Sequence, residues 1–367
     1  MKLQCPREGL LMATQLVQKA VPTRTTIPIL AFIKAIAEDD RLILIAMDSE
    51  VGGIRYVLRG VRVEEAGEAL FAADRLSQIL RESGDEEVTI EADNNRCLLH
   101  TETSEFEMPS DNPAGYPEFP AFDEATSHEL TAGALRTMIR RTAFAAAKES
   151  TKFAITGVLW EVEGSHLRMI ATDSKRLAFI EGPVIVHGGD SKGQSQVVPT
   201  KVMQLLESNL SDDDEKIRIT LRSQDVLFHT ERSTIYGRLV QGRFPPYRDI
   251  IPKKSNAKIE LQVLPFLGAV RQAAIMADTD SKRVTFHFAP KKLTLEAQGA
   301  TTGRSKVAIP LDYDGPPIDI NFDPALLVDM FRILEEGAPI TLELVDSVRP
   351  ATFRSGKEYL YLVMPLS

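Results

Sequence analysis

Cysteine and long apolar runs are scarce in this chain, and their scarcity excludes several classes of protein. Cys5 and Cys97 are the only cysteines among 367 residues, which argues against a disulfide framework or a zinc site and fits a reducing compartment. The start of the chain includes Lys2, Arg7 and Glu8 and lacks the apolar run of a signal peptide. No stretch approaches the roughly 20 apolar residues that span a membrane. We therefore expect a cytoplasmic protein without a membrane partner.

Signatures of catalysis are also missing. The six histidines are scattered singly, and the chain has no phosphate loop ending in Gly-Lys-Ser/Thr, no Gly-x-Ser-x-Gly and no His-Glu-x-x-His. Asp48 and Asp173 occupy equivalent places in a repeat and could act as paired carboxylates, but Gly299 stands at the third such place. An Asp that follows a strand is more often a turn residue that caps nearby backbone amides. We expect no catalytic residue, no metal and no cofactor; a hydrolase that uses Asp48 and Asp173 is the weaker alternative.

One stretch of sequence recurs three times at nearly the same spacing. The copies are LILIAMD at 42–48, LRMIATD at 167–173 and LTLEAQG at 293–299. Their starts are 125 and 126 residues apart, which is too long for a solenoid repeat of roughly 20–50 residues and typical of a folding domain. An alternating strand pattern recurs in register at 88–92, 217–221 and 340–344. The chain is therefore predicted to be one domain repeated three times.

Two proline-rich segments, 109–123 and 242–256, read as linkers between the repeats. We predict three domains, at 1–123, 124–250 and 251–367.

Each repeat carries two predicted helices among its strands. The first helices are expected at 8–21, 132–147 and 263–277, and the second helices at 74–82, 200–208 and 323–336. Thr200 and Asp323 are the expected N-caps. Helices interspersed with short strands and frequent turns predict an α+β fold, in which two helices per domain pack on one face of an antiparallel sheet.

Positive charge is concentrated locally although the whole chain carries a net charge of −9. Arg136, Arg140 and Arg141 precede Lys148 and Lys152, and four of these five are spaced by four or eight residues. On a helix that continued this far, they would form a basic stripe. Such a stripe suggests contact with a phosphate backbone without base readout, and a solvated helix face is the alternative.

Four further motifs complete a resemblance to a known family. They are RTTIPIL at 24–30, IATDSKRLA at 170–178, GRFPPY at 242–247 and YLVMPL at 361–366. With the length, the three repeats and both linkers, they make the chain resemble the bacterial DNA sliding clamps, the beta subunits of DNA polymerase III. The resemblance implies a head-to-tail ring of two subunits, with six similar domains and helices around a central hole. It also implies a non-catalytic processivity factor of DNA replication, which tethers proteins to DNA.

The same resemblance implies partners and site residues. The partners are double-stranded DNA, bound without sequence preference, the replicative DNA polymerase, an ATP-driven clamp loader, other proteins with clamp-binding motifs, and a second copy of the chain. The DNA-facing positions are Arg24, Arg75, Lys148, Lys152 and Phe153. A peptide-binding groove between the middle and last domains comprises Ile155, Thr172, Arg176, Leu177, Pro245, Ile250, Leu362, Val363, Met364 and Pro365. The apolar contacts of the dimer interface are Phe106, Ile275 and Met276.

This chain departs from its relatives at the predicted interface. Relatives often carry an acidic run where it has TTGR at 301–304, so the interface ion pairs are expected to be reduced or replaced. A three-domain scaffold with no DNA role is the remaining alternative.

Overall fold

The computed structural model describes residues 1–124, 126–149, 152–188, 194–299 and 301–366. The chain divides into two compact units. The first unit comprises Met1–Arg136, Val184–Ser191 and Lys201–Leu239, and the second comprises Thr137–Pro183, Lys192–Thr200 and Val240–Ser367.

The described residues form six α-helices and a larger number of β-strands. The helices are α1 (Arg7–Gln18), α2 (Ala73–Glu82), α3 (Ala132–Thr142), α4 (Thr200–Asn209), α5 (Val263–Ala274) and α6 (Pro324–Phe331). The strands of the first third are β1 (Lys2–Pro6), β2 (Phe32–Glu38), β3 (Arg41–Asp48), β4 (Gly52–Arg59), β5 (Arg62–Glu65), β6 (Gly67–Ala72), β7 (Glu87–Ala92), β8 (Arg96–His100) and β9 (Glu105–Pro109). Those of the middle third are β10 (Ser127–Thr131), β11 (Gly157–Glu163), β12 (His166–Thr172), β13 (Arg176–Pro183), β14 (Ile185–His187), β15 (Gln194–Pro199), β16 (Lys216–Leu221), β17 (Asp225–His229) and β18 (Ser233–Arg238). Those of the last third are β19 (Ala257–Leu261), β20 (Val284–Ala289), β21 (Lys292–Gly299), β22 (Gly303–Pro310), β23 (Ile318–Phe322), β24 (Ile340–Leu344), β25 (Ala351–Ser355) and β26 (Tyr359–Val363).

Each compact unit contains two sheets, and the pairings between neighbouring strands are antiparallel. The first unit has a five-stranded sheet in the order β5-β1-β7-β8-β9 and a nine-stranded sheet in the order β14-β10-β16-β17-β18-β4-β3-β2-β6. The second unit has an eight-stranded sheet in the order β15-β11-β12-β13-β26-β25-β24-β19 and a four-stranded sheet in the order β22-β21-β20-β23. The predicted α+β class is therefore confirmed.

The recurrent sequence forms equivalent strands in all three repeats. The motif lies in β3, β12 and β21, and the second alternating pattern lies in β7, β16 and β24. Each motif strand opens a hairpin, which it forms with β4, β13 or β22. The threefold repeat predicted from the sequence is thus a repeat of structure.

The first helix of the middle repeat is shorter than predicted. Helix α3 ends at Thr142, whose hydroxyl donates to the carbonyl of Met138 at 2.7 Å. A short 3-10 turn, Ala143–Ala145, follows, and Ala146 has an extended backbone with ψ of 150°. Lys148 and Lys152 therefore lie beyond the helix, and the continuous basic stripe predicted from a helix at 132–147 is wrong.

One of the two predicted N-caps is confirmed. The carboxylate of Asp323 accepts from the backbone N–H of Ala325 at 3.0 Å, with Pro324 at the first helical position. Thr200 instead is the first residue of α4, and its hydroxyl donates to the carbonyl of Thr156 at 3.3 Å.

Aromatic side chains fill much of the core of the second unit. The ring of Phe266 on α5 lies 4.7 Å from that of Phe331 on α6, and Phe353 lies against both. All three are buried. Rings that pack in tilted and edge-to-face pairs stabilise such a core beyond their area alone, so α5 and α6 are fixed on their sheets.

Candidate functional site

The C-terminal strand lies beside the turn of the middle repeat. Strand β26 pairs with β13, with Val363 opposite Arg176 and Leu362 opposite Leu177. Beyond the strand, the N–H of Met364 donates to the carbonyl of Lys175 at 2.9 Å. The structure therefore brings together motifs 170–178 and 361–366, which are nearly 200 residues apart in sequence.

Three of the predicted groove residues form a buried floor. Leu177, Leu362 and Val363 are at most 1% exposed, and the first two belong to a cluster with Tyr247 and Leu360. Such residues support a surface without presenting themselves to solvent.

The rim of the same region is accessible. Ile250 is 46% exposed and Met364 is 39% exposed, and Pro245 and Pro365 are half-buried. Exposed apolar side chains above an apolar floor suit a peptide ligand, and methionine adapts to varied partners.

Asp173 and Asp48 are turn residues. One carboxylate oxygen of Asp173 accepts from the backbone N–H groups of Lys175 and Arg176, at 2.9 and 3.1 Å. Asp48 accepts in the same way from Glu50 and Val51, at 2.8 and 3.2 Å. Both carboxylates are used to close their hairpins, as the turn interpretation predicted, which leaves the hydrolase alternative without support.

Arg176 is the centre of a buried polar network. Its Nε donates to Asp173 at 3.0 Å, and its two terminal nitrogens donate to Asp329 on α6 at 2.7 Å and to the carbonyl of Phe144 at 2.9 Å. The guanidinium also lies over the Phe144 ring, 5.3 Å from its centre. Only 9% of the side chain is exposed, so Arg176 positions the turn, α6 and the 3-10 turn rather than pointing into solvent.

Sequence reasoning missed the other members of this network. Asp329 lies 153 residues from Arg176, and its sequence neighbourhood carries no signal of the pairing. Phe144 accepts through its backbone carbonyl. Because every residue has such a carbonyl, the residue type gives no signal of this contact.

A pocket of about 580 Å³ lies beside the 242–247 motif. The Tyr247 hydroxyl donates to Glu161 at 2.7 Å, and Arg248 donates to the same carboxylate oxygen at 2.8 Å. Burial and the Glu161 carboxylate raise the pKa of Tyr247 to about 12, so the phenol stays neutral. This arrangement fixes the 242–247 segment on the sheet that carries the candidate groove.

The predicted DNA-facing residues lie on surfaces of both units. Arg24 and Arg75 are exposed in the first unit, and Lys148, Lys152 and Phe153 are exposed in the second. Each unit thus carries at least two of the predicted cations in exposed positions.

Two arginines of the predicted basic stripe have other contacts. Arg136 forms an ion pair with Asp213 and donates to the carbonyl of Leu210. Arg141 stacks over the ring of Tyr359, 5.4 Å from its centre. Both side chains are therefore partly committed to the fold.

The predicted dimer residues are accessible at the end of α5 and on an edge strand. Ile275, directly after α5, is 70% exposed, and Met276 and Phe106 are half-buried. Phe106 lies in β9, at the edge of the five-stranded sheet.

Two features are absent from the described residues. No described helix is long and apolar enough to cross a membrane. Within the same residues, no group of three or more His, Cys, Asp or Glu side chains could hold a metal ion.

Three α+β repeats, with the last strand of the third completing the sheet of the second, define a three-domain clamp. The family models of the DNA polymerase III beta subunit match the chain in order: the N-terminal domain at 1–120, the central domain at 129–246 and the C-terminal domain at 248–367. The chain belongs to the DNA polymerase III beta subunit family.

Individual relatives agree over the full length. The beta sliding clamp of Bacillus subtilis (strain 168) is 28% identical, with 100% of this chain and 99% of the relative covered. That of Escherichia coli (strain K12) is 26% identical, with 100% of both covered. A crystal structure of the DNA polymerase sliding clamp from Bacillus subtilis superposes with a TM-score of 0.93 at 28% identity, over 100% of this chain and 99% of the other.

Proposed function

We propose that this chain is a DNA sliding clamp, a non-catalytic processivity factor that encircles duplex DNA and tethers the replicative DNA polymerase. The observation that carries the proposal is the match of all three thirds, in order, to the three domains of one family. A tether raises the effective concentration of a polymerase at its template without any catalytic group. We propose that the chain works in DNA replication, in the cytoplasm.

The proposed domains are 1–123, 124–250 and 251–367. They are supported by the proline-rich linkers and by the family matches, which leave 121–128 and 247 between them.

The proposed partner site is the groove beside the C-terminal strand. Its residues are Ile155, Thr172, Arg176, Leu177, Pro245, Ile250, Leu362, Val363, Met364 and Pro365. The buried members form the floor and Arg176 holds the turn, while Ile250 and Met364 contact the ligand. The proposed ligands are short clamp-binding motifs of the polymerase, the clamp loader and other DNA-processing proteins.

The proposed DNA contacts are Arg24, Arg75, Lys148, Lys152 and Phe153. Lysine and arginine on a surface, without a reading helix, favour weak phosphate contacts that depend on salt and not on sequence. Such contacts permit sliding. Glu149, exposed beside Lys148, reduces the local positive charge.

Retention of the proposed ring on DNA should depend on whether the DNA is a closed circle or has free ends. After loading by a clamp loader, the chain should stay on closed circular DNA and leave the same DNA within minutes once it is linearised. An ordinary DNA-binding protein is lost equally from both forms, and that result would contradict the proposal. Light scattering provides a second check, because a dimer of 40.7 kDa chains is expected.

The groove is tested separately by removing residues 364–367. Because β26 ends at Val363, the deletion leaves every strand intact. Binding of a fluorescent clamp-binding peptide should be lost while dimerisation persists. Val348→Ser is the matched control, since Val348 is 75% exposed in a turn of the same unit; equal peptide affinity of deletion and control would refute the assignment.

A further inference from the structure

A second pocket, of about 420 Å³, lies in the first unit, where the first two repeats meet. Three elements line it: the segment that follows α1, the turn that Asp48 closes, and helix α4 of the second repeat. The residues of the proposed peptide groove belong to the second unit. This pocket is therefore a separate feature of the molecule.

The equivalent space one repeat further along the chain is filled by an arginine. There the three elements are the segment that follows α3, the turn that Asp173 closes, and helix α6 of the third repeat. The guanidinium of Arg176 contacts all three, through the carbonyl of Phe144 and the carboxylates of Asp173 and Asp329. One side chain thus occupies the place where these elements meet.

The first repeat has neither this arginine nor its partner on the helix. Val51 is the equivalent of Arg176, because each donates its backbone N–H to the aspartate three residues before it. Leu205 is the equivalent of Asp329, because each is the sixth residue of its helix. Both Val51 and Leu205 line the pocket. The pocket therefore corresponds to the space that Arg176 fills in the second repeat, and the shorter valine leaves it open.

The floor of the pocket is apolar. Ala20 and Leu205 are buried, at 4% and 8% exposed, and Val21, Pro22 and Val51 are half-buried beside them. The volume falls within the roughly 300–1,000 Å³ of small-molecule sites, which are mostly apolar and carry a few polar groups that orient the ligand. The size and the lining thus suit a small organic molecule.

The charged groups of the lining favour an anion. Lys19 and Lys201 are exposed on two sides of the pocket, and within the described ranges neither forms an ion pair. Asp48 is the one acid of the lining, and its carboxylate already accepts from the N–H groups of Glu50 and Val51. Two free ammonium groups therefore outnumber one engaged carboxylate, and hydrogen bonds from an ammonium to a carboxylate are among the strong ones.

We propose that this pocket binds a small organic anion, with an aromatic or branched apolar body against Val51 and Leu205 and a carboxylate bound by Lys19 and Lys201. The inference needs neither DNA nor a second copy of the chain, so it stands or falls separately from the proposed clamp function.

Titration calorimetry of the full chain with 2-naphthoate tests the site. The fused rings of 2-naphthoate supply the apolar body, and its carboxylate supplies the charge. The cation 2-naphthylmethylammonium, which carries the same rings, should bind on the order of tenfold or more weakly at low salt, because the two lysines repel it. Equal affinity of the anion and the cation would overturn the proposal, as would a lack of 2-naphthoate binding.

Two variants locate the binding. Val51→Met fills the space with an uncharged chain and should weaken 2-naphthoate binding on the order of tenfold or more. Lys19→Gln with Lys201→Gln should weaken it about tenfold at low salt, because both charged donors are lost. Circular dichroism checks that each variant folds, and the lysine pair keeps the test valid if Val51→Met does not, since both lysines are exposed.

Two controls leave the pocket untouched. Lys253→Gln with Lys254→Gln makes the same change of charge on exposed lysines of the second unit and should bind 2-naphthoate like the unmodified chain. Removal of residues 364–367 should also leave the affinity unchanged. An affinity of the Lys19 and Lys201 variant equal to that of the lysine control would overturn the proposal. Loss of binding in the deletion would place the probe in the peptide groove and overturn it too.

Discussion

Replacement of Arg176 by methionine should destabilise the second unit by about 2–3 kcal/mol. The substitution keeps most of the length of the side chain and removes every side-chain donor. Three contacts disappear, to Asp173, Asp329 and the carbonyl of Phe144. Removal of one partner from a buried ion pair costs roughly 3–5 kcal/mol. The expected cost is lower here because 41% of Asp329 and 21% of Asp173 are exposed, so that water can solvate the remaining carboxylates.

Lysine at the same position should cost less, about 1–2 kcal/mol. An ammonium keeps the positive charge but cannot present a planar fork to three acceptors. The difference between the two variants therefore separates charge from geometry.

Urea unfolding followed by Trp160 fluorescence measures the effect. Trp160 is the only tryptophan of the chain and is buried in β11, inside the second unit. With a slope of about 1–3 kcal/mol per molar urea, Arg176→Met should lower the midpoint by roughly 0.7–3 M.

Arg168→Met is the control for this measurement. Arg168 pairs with Glu181 and Glu163 in the same sheet, but its side chain is 25% exposed and its partners are more so. Accessible pairs contribute about 0–1 kcal/mol. An Arg176→Met midpoint equal to that of the control would refute the reasoning that this network organises the groove.

Three smaller predictions concern stability and reactivity. Burial raises the pKa of Cys5 and Cys97 to about 12, so a thiol reagent should label neither at pH 8 until urea unfolds the chain; rapid native labelling would contradict this. Burial lowers the pKa of His128 and His229. The unfolded chain therefore binds more protons than the folded chain, and stability should fall as the pH drops below about 6.5. Calorimetry should show a shallower fall in stability for His128→Phe, and a fall as steep as that of the unmodified chain would count against the prediction. Asp323→Ala should cost about 1 kcal/mol by removing the cap of α6, with no loss in Asp323→Ser.

The strands were predictable because their sequence determines both period and burial. In β24 and β7 apolar residues alternate with polar ones, and the apolar ones are the buried ones. The cap at Asp323 was predictable for a similar reason, since an Asp before a proline carries its own local geometry.

The end of α3 was not predictable from local sequence. Residues 143–147 read AFAAA, and alanine is the strongest helix former. Tertiary contacts override that preference here: the carbonyl of Phe144 accepts from Arg176, and Ala145 and Ala146 are buried. Helix propensity depends on local sequence alone, so it cannot account for a hydrogen-bond donor that lies on another strand.

The candidate groove was also predictable only in part. Motif 361–366 identified the C-terminal strand, but its pairing with β13 joins residues nearly 200 positions apart. Which groove residues form the buried floor and which form the exposed rim depends on that pairing. Leu177 and Met364 are both apolar, so their residue types do not distinguish them, but Leu177 is buried and Met364 is exposed.

The three hairpins after the motif show how one fold acquires different uses. Asp48 closes the first turn and Asp173 the second, by the same pair of backbone contacts. In the second copy Arg176 is added, and the turn becomes part of the proposed groove. In the third copy Gly299 replaces the aspartate, and a Cβ there would lie only 2.1 Å from the hydroxyl of Thr302. Because of this close approach, glycine is favoured at position 299, at the end of β21.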